Sequence, residues 1–438
     1  MPGLTTEWPP WKEYVLDKKV AEVYDADGDY AAAKKAIIEE YGEEALRKSW
    51  VKTCAALEKV TAELEEKGNE VIPILSIQDV LSDSVSEETK TEIRRVGCFV
   101  VRGVIPKPSV DAQFANLKAF VATNKSLIKG WPDNPPSILN LYNSTPQNAL
   151  RTHPQQIALM RWINNLWHWT PDPDVSADPL LYVDGVRIRP PKSQFLGLGP
   201  HVDAGSLCRW ADPDYRRAYG KVFGGLPEEH DCYDLDARKD ANQMLYPGDG
   251  QSTVLRAFQG WTALTRTAPR EGTIRLFPNV KWQIAYVLLR PFFSPPADSA
   301  KVMDAEAWTF GGDGNWFPGT FKNDSQYLSS GSHPHLRLKE TLLHAPAMEA
   351  GDTVWWHADM CHAVDAEHIG TEDASVTYIA ATPTTRINKE YMQRQYAKMA
   401  KGMPPPDFEH GGSDETKLEG FEGFAINPQL MKELMASV

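Results

Sequence analysis

Two histidine–carboxylate pairs stand out in the chain. His201 and Asp203 lie two apart in GPHVDAGSLCRW, and His357 and Asp359 lie two apart in GDTVWWHADMCHAV, which also carries His362. On a strand, residues i and i+2 project from one face. An imidazole and a carboxylate presented together supply two ligands of a 2-His-1-carboxylate facial triad, which leaves positions on Fe(II) open for substrate and oxygen. For His201 and Asp203 the third ligand would be a His brought in by the fold, either His357 or His362. The reverse assignment starts from His357 and Asp359. It leaves only His368 and His410 downstream, and no later β-run carries either. An H-x-D pair is common by chance, so the surrounding elements have to position it.

From about residue 182 to 383, short β-rich runs recur between Gly, Pro and Asp: YVDGVRIRP, QFLGLGPHVD, STVLRAFQGWTAL, GTIRLFPN, HLRLKETLLHA, GDTVWWHAD, MCHAV and ASVTYIAATP. Short strands with turn signals between them predict a β-sandwich or barrel-like jelly roll. Interruptions at about 211–250 and 283–333 read as surface insertions of the kind that form active-site lids. Upstream, residues 30–67 read as one or two helices ending at Gly68, GCFVVRGVIP as a strand, and ALMRWINNLWHW as a helix. Residues 386–402 read as helix, followed by a Pro- and Gly-rich linker and a short closing helix. The expected organisation is α+β. A helical region over 1–90 packs on a double-stranded β-helix (jelly roll, cupin-like) domain over 91–385, and a helical extension covers 386–438.

Composition narrows the function. The 438-residue chain is 42% hydrophobic and 24% charged, enough for a large core. Its formal net charge of -13 argues against nucleic acid or an anionic membrane as the main partner, and leaves a small molecule. The cysteines number five, an odd count with no C-x-x-C, which fits reduced thiols in a cytoplasmic protein. The N-terminal residues carry no basic flank followed by an apolar run, so no secretory signal is expected, and no stretch is apolar enough for a membrane span.

The segment LRAFQGWTALTRTAPREGTIRLFP resembles the middle strands of phytanoyl-CoA-hydroxylase-type oxygenases, and GDTVWWHADMCHAV resembles their G-D strand, turn and distal-His strand. More closely, RVGCFVVRGVIP, RIRPPKSQFLGLGPHVDAGSLCRW and RAFQGWTALT resemble the YbiU-like proteins, members of the Fe(II)/2-oxoglutarate oxygenase superfamily. The resemblance covers roughly residues 90–390. It implies that His201, Asp203 and His362 bind and use the iron, with 2-oxoglutarate as cosubstrate and O2 as oxidant. His357 and Asp359 are then left to turn hydrogen bonding or support of the metal ligands. Trp355 and Trp356 alternate, one toward the core and the other toward the pocket.

The resemblance also implies a cation for the far carboxylate of 2-oxoglutarate, a role suited to the Arg fork. In many relatives it stands shortly past the distal His. Here HIGTEDASVTYIAATPTTR holds no Arg or Lys before Arg386, a departure from the pattern. Arg189 on VRIRP is the favoured substitute, with Arg256 on VLRAF and Arg386 as the others, and Thr377 and Tyr378 could add hydroxyls. Trp210, Arg209, Phe258, Trp261 and Trp356 flank the site as candidate substrate-pocket residues, which would suit a small amino acid or other carboxylate. Hydroxylation, desaturation or ring closure of a C–H substrate would follow. Halogenation is disfavoured because the carboxylate ligand, Asp203, is present. Two alternatives remain open: a cupin-like metal enzyme that does not use 2-oxoglutarate, and a non-catalytic β-sandwich binding module.

Overall fold

The computed structural model describes residues 11–13, 25 and 27–423, except 194, 196, 249, 250, 312–314, 316 and 410. The closing helix expected near the C-terminus lies outside the described residues, as does His410.

Two β-sheets form the centre. Their strands, in chain order, are β1 (Ile74–Ser76), β2 (Cys98–Arg102), β3 (Gly130–Trp131), β4 (Ile138–Leu139), β5 (Val186–Arg189), β6 (Leu198–Val202), β7 (Phe258–Ala263), β8 (Ile274–Leu276), β9 (Gln326–Tyr327), β10 (Leu343–His344), β11 (Thr353–His357), β12 (His362–Val364) and β13 (Ala374–Ala381). The larger sheet has eight strands in the order β1-β2-β11-β7-β13-β5-β4-β3, and the smaller has five in the order β9-β6-β12-β8-β10. From β5 onward, and leaving β9 aside, successive strands fall alternately in the two sheets along most of the path. The chain thus winds between them as a double-stranded β-helix, the jelly-roll solution to the edge-strand problem. All eight β-rich runs read from the sequence contribute a strand to this core.

Side-chain period explains why the strands are so apolar. The central strands β7 and β11 are buried along their whole length, because one face packs under helices and the other lines the space between the sheets. Trp355 and Trp356 take opposite faces. Trp355 is wholly buried, its indole N–H donating to Thr353 Oγ1 at 2.9 Å, while Trp356 lines the cavity between the sheets.

The helical parts pack outside. Helix α1 (Asp29–Tyr41) breaks at Gly42 into α2 (Glu43–Lys67), which ends at Gly68. Helix α2 buries Leu46, Trp50, Leu57, Val60 and Leu64, an i, i+3/i+4 stripe, against α3 (Val280–Leu289). Trp50 anchors that contact, stacked 4.5 Å from Phe293 and 5.3 Å from Tyr286. Helix α3 itself is apolar nearly all round and lies almost entirely in the core. The segments read as surface insertions therefore carry core of their own. The first sends Tyr215, Tyr219 and Arg238 inward, and the second begins within α3. Helix α4 (Arg386–Met399) starts at the N-cap Thr385, whose hydroxyl accepts from Asn388 N–H.

Candidate metal centre and its cavity

Strand pairing, not sequence proximity, builds the centre. In the antiparallel ladder of β6 and β12, His201 stands directly opposite His362, with ring centroids 4.3 Å apart. Asp203 follows β6 by one residue, at a turn in which Ala204 and Gly205 both have left-handed backbone (φ 57° and 60°). A side chain at Gly205 would meet the Tyr215 ring at 2.5 Å, so the turn needs glycine there. Its N–H donates to Gln251 Oε1 at 2.6 Å. The turn swings the carboxylate between the two rings. Asp203 Oδ1 lies 3.4 Å from His201 Nε2, and Oδ2 lies 3.3 Å from His362 Nε2.

Both imidazoles are oriented by their own backbone. His201 Nδ1 lies 2.7 Å from the Gly199 carbonyl, and His362 Nδ1 lies 3.0 Å from the Met360 carbonyl. A carbonyl can only accept, so Nδ1 carries the proton and the Nε2 lone pair faces the centre, the arrangement typical of metal-ligating histidines. Burial opposes ionisation of Asp203, but the two imidazoles hold its carboxyl well below the usual carboxylate range. Burial and the neighbouring His201 push His362 down, which favours its neutral, ligating form. Burial also acts to lower His201, but the Asp203 carboxylate overcomes it and raises this ring. His201, Asp203 and His362 offer one ligand atom each within 4.8 Å of one another. They form a 2-His-1-carboxylate facial triad whose donor set suits non-haem Fe(II).

The centre opens into a cavity of about 330 Å³, at the small end of ligand sites. Of the residues expected around the triad, Arg256, Trp261, Trp356 and Tyr378 line it. The others do not. Arg189 is wholly buried with its guanidinium spent on the chain: Nη1 donates to the Asp365 carbonyl at 2.6 Å, and Nη2 to those of Phe195 and Ala366, both at 2.8 Å. It fastens two loops and keeps no fork for a ligand. Arg386 is exposed on α4 beside Glu390 and Asp240. Thr377 sits on β13 next to Tyr378, so strand alternation turns it to the opposite face from that cavity residue. Trp210 donates to the Leu288 carbonyl at 2.9 Å inside the core, and Phe258 packs against Phe99 and His357. Arg209 lies behind the centre, donating to the Asp203 carbonyl at 2.9 Å.

His357 and Asp359 are structural. His357 stacks 5.0 Å from Trp167, bonds the Cys232 carbonyl through Nε2 at 2.9 Å, and accepts from Asp359 N–H through Nδ1 at 3.0 Å. Asp359 takes a bidentate pair from Arg238 at 2.7 and 2.9 Å, together with the Tyr219 hydroxyl at 3.0 Å. The turn hydrogen bonding expected of them is what they do.

Sequence reading did not single out Arg187, Asp184 or Gln259. Arg187 is the most informative. Strand β5 places it two residues from Arg189 on the same face, directly opposite Val376 of β13. It is wholly buried and lies 4.4 Å over the Trp261 ring. Nη2 donates to the Gly272 carbonyl at 2.9 Å, but Nε and Nη1 have no partner among the described residues. The alternation of VRIR was visible in the sequence. The register that puts Arg187 opposite Val376, on the strand where a cation was expected, was not.

Sequence and structure comparisons agree on kinship. The Gig2-like family model matches residues 25–429. The chain belongs to the Gig2-like family. Among its relatives is the uncharacterized protein YbiU of Escherichia coli strain K12, 30% identical over 373 residues that cover 82% of this chain and 83% of YbiU. The crystal structure of the GlcNAc-inducible gene 2 protein of Candida albicans matches this Gig2-like chain with a TM-score of 0.82 at 26% identity, over 98% of this chain and 90% of that one. A hypothetical protein from Escherichia coli matches with a TM-score of 0.78 at 27% identity, over 97% and 99% respectively.

Proposed function

We propose that this Gig2-like protein is a non-haem Fe(II)/2-oxoglutarate-dependent oxygenase that oxidises a C–H bond of a small molecule. The observation that carries the reading is the facial triad of His201, Asp203 and His362 in the wall of a cavity. Three protein ligands on one side leave the rest of the coordination sphere for exogenous groups.

The cosubstrate also fits. A buried guanidinium with two unpartnered nitrogens is costly unless an anion completes it. Burial depresses the Arg187 pKa, as expected of a cation held without a counter-ion. The cavity is lined by its neighbours Ile138, Trp261 and Tyr378. Arg187 would pair the far carboxylate of 2-oxoglutarate, with Tyr378 as a second donor, while the ketoacid end lies on the metal. A cation is thereby available from the strand beside the last one, in place of the one missing after His362.

Bound iron and 2-oxoglutarate supply the activation of O2, with succinate and carbon dioxide as coproducts. The chain supplies the rest. His201 and His362 are fixed by carbonyls and present Nε2 without reorganisation. Trp261, Trp356, Ile379 and Phe408 give the cavity apolar walls that limit water at the reacting carbon. A cytoplasmic location belongs to the same reading, supported by five cysteines that are all free and buried. No helix among the described residues is long and apolar enough to cross a membrane.

Anaerobic titration of the metal-free protein with Fe(II) and 2-oxoglutarate tests the reading. The expected result is a visible charge-transfer band that requires both. Iron binding without such a band would overturn the cosubstrate assignment.

A further inference from the structure

Beyond the triad, two charged side chains line the cavity: Arg256, just before β7, and Asp184, just before β5. They approach each other, but the contact is open. Arg256 Nη1 lies 4.0 Å from Asp184 Oδ2, outside hydrogen-bond range. The buried structural pair elsewhere in the molecule looks different, since Arg238 grips Asp359 through contacts of 2.7 and 2.9 Å. Among the described residues the Arg256 side chain makes no hydrogen bond, and its guanidinium stands 5.4 Å over the Tyr182 ring. Asp184 spends one oxygen on the Gly185 N–H at 2.6 Å and turns the other toward Arg256. Gln259 also lines this wall and makes no side-chain hydrogen bond among the described residues. Gln251, by contrast, is committed, accepting from Gly205 N–H and donating to the Asp324 carbonyl.

Charge balance says what this wall can take. On the reading above, the metal, Asp203, Arg187 and the 2-oxoglutarate dianion sum to neutrality. The open pair is then the charge left for substrate recognition. A fork of donors beside a lone acceptor matches a planar carboxylate with a hydrogen-bond donor next to it. The cavity is small and must hold the cosubstrate as well, which excludes large substrates. We infer that Arg256 and Asp184 form the substrate subsite, and that the substrate is a small α-amino or α-hydroxy acid whose carboxylate pairs with Arg256 and whose amino or hydroxyl group donates to Asp184. This rests on the iron and 2-oxoglutarate reading for the charge balance and for the identity of the second ligand in the cavity.

The test uses full-length protein loaded with Mn(II) under argon, with and without 2-oxoglutarate, so that nothing turns over. Glycolate, lactate, alanine, serine, threonine, valine and proline are titrated by calorimetry, each beside its carboxamide. The expected result is that at least one acid binds and that its amide binds more weakly by about tenfold or more, the order of a lost charge-assisted contact. Arg256→Gln should weaken the acid by a similar factor and leave 2-oxoglutarate affinity unchanged. Arg256→Lys should retain part of the binding, and Asp184→Asn should weaken the acid that keeps its amino or hydroxyl group. Thermal melts matching the wild type exclude a folding defect. Acids and amides that bind alike, acid binding indifferent to Arg256→Gln, or no acid bound in either loading state would overturn the subsite. Loss of 2-oxoglutarate binding in Arg256→Gln would also overturn it, by making Arg256 the cosubstrate anchor. If the wild type binds acids through Arg256 but never 2-oxoglutarate, the subsite stands and the cosubstrate reading fails.

Discussion

Arg209 donates from Nη2 to the main-chain carbonyl of Asp203 at 2.9 Å, and the same nitrogen lies 3.7 Å from Asp359 Oδ1. One buried guanidinium therefore joins the two histidine–carboxylate motifs that are far apart in the sequence. Asp359 is not a ligand. It pairs closely with Arg238 and lies near Arg209, a single anion shared by the two arginines that pack behind the turn carrying the ligand Asp203.

The ligand set separates His362 from His357. In the anaerobic Fe(II) and 2-oxoglutarate titration, His201→Ala and His362→Ala should abolish the charge-transfer band. His357→Ala should keep it, since His357 spends both ring nitrogens on the Cys232 carbonyl and the Asp359 N–H. A band lost with His357→Ala but kept with His362→Ala would reverse the assignment.

Removing Asp359 should damage the fold before the chemistry. Burial opposes its ionisation, but Arg238, helped by Arg209, holds its carboxyl well below the usual carboxylate range, so it is a permanent anion. Asp359→Ala leaves two buried cations without it, and breaking a buried pair from one side costs about 3–5 kcal/mol. Urea unfolding would show the loss as a lower midpoint at unchanged slope. A midpoint within error of the wild type would mean that Arg209 and Arg238 find other partners.

Arg187→Gln isolates the cosubstrate anchor. Iron binding should be unaffected, because the triad is intact. The 2-oxoglutarate dissociation constant should rise by about 10- to 100-fold, the order expected when a charged hydrogen-bonding partner is removed. Arg189→Gln is the control. It should lower stability through the loops at Phe195 and Asp365 while leaving 2-oxoglutarate affinity near wild type in whatever fraction is folded.

What was legible in the sequence follows physical scale. β-rich composition between Gly, Pro and Asp is a local signal, and each of the eight runs holds a strand, although HLRLKETLLHA is mostly helical turns with only Leu343–His344 in the sheet. The H-x-D pair was legible as a short motif, but Asp203 lies one residue beyond β6 and is brought to the centre by the turn at Ala204 and Gly205 rather than by strand alternation, and His362 was assigned through the family resemblance. The proposed anchor was not legible, because Arg187 and Arg189 share a face and the β5–β13 register decides what each one meets. Only packing separates an arginine saturated by carbonyls from one with free nitrogens. Trp210 and Phe258 illustrate the same limit. An aromatic beside a motif can point to core or cavity, and composition does not distinguish them.

Stability should fall on acidification below neutrality. Burial pushes His230, His335 and His357 down to about 4 in the folded state. Unfolded, each would titrate near its ordinary value, so between that value and about 4 the unfolded chain binds protons the folded chain refuses. The stabilisation is full above the unfolded pKa and is lost as pH falls through this window. Each histidine contributes a slope of about 1.4 kcal/mol per pH unit. Glu415 works in the opposite direction. Burial raises it to about 7, so the folded state holds a proton that the unfolded chain gives up as pH rises from the ordinary Glu range. Three histidines outweigh one glutamate, and urea midpoints measured at intervals from pH 7 to 4.5 should decline. His357→Gln should flatten the decline by about one proton's worth, ~1.4 kcal/mol per pH unit. An unchanged slope in that variant would show that His357 takes up its proton as readily in the folded protein as in the unfolded one.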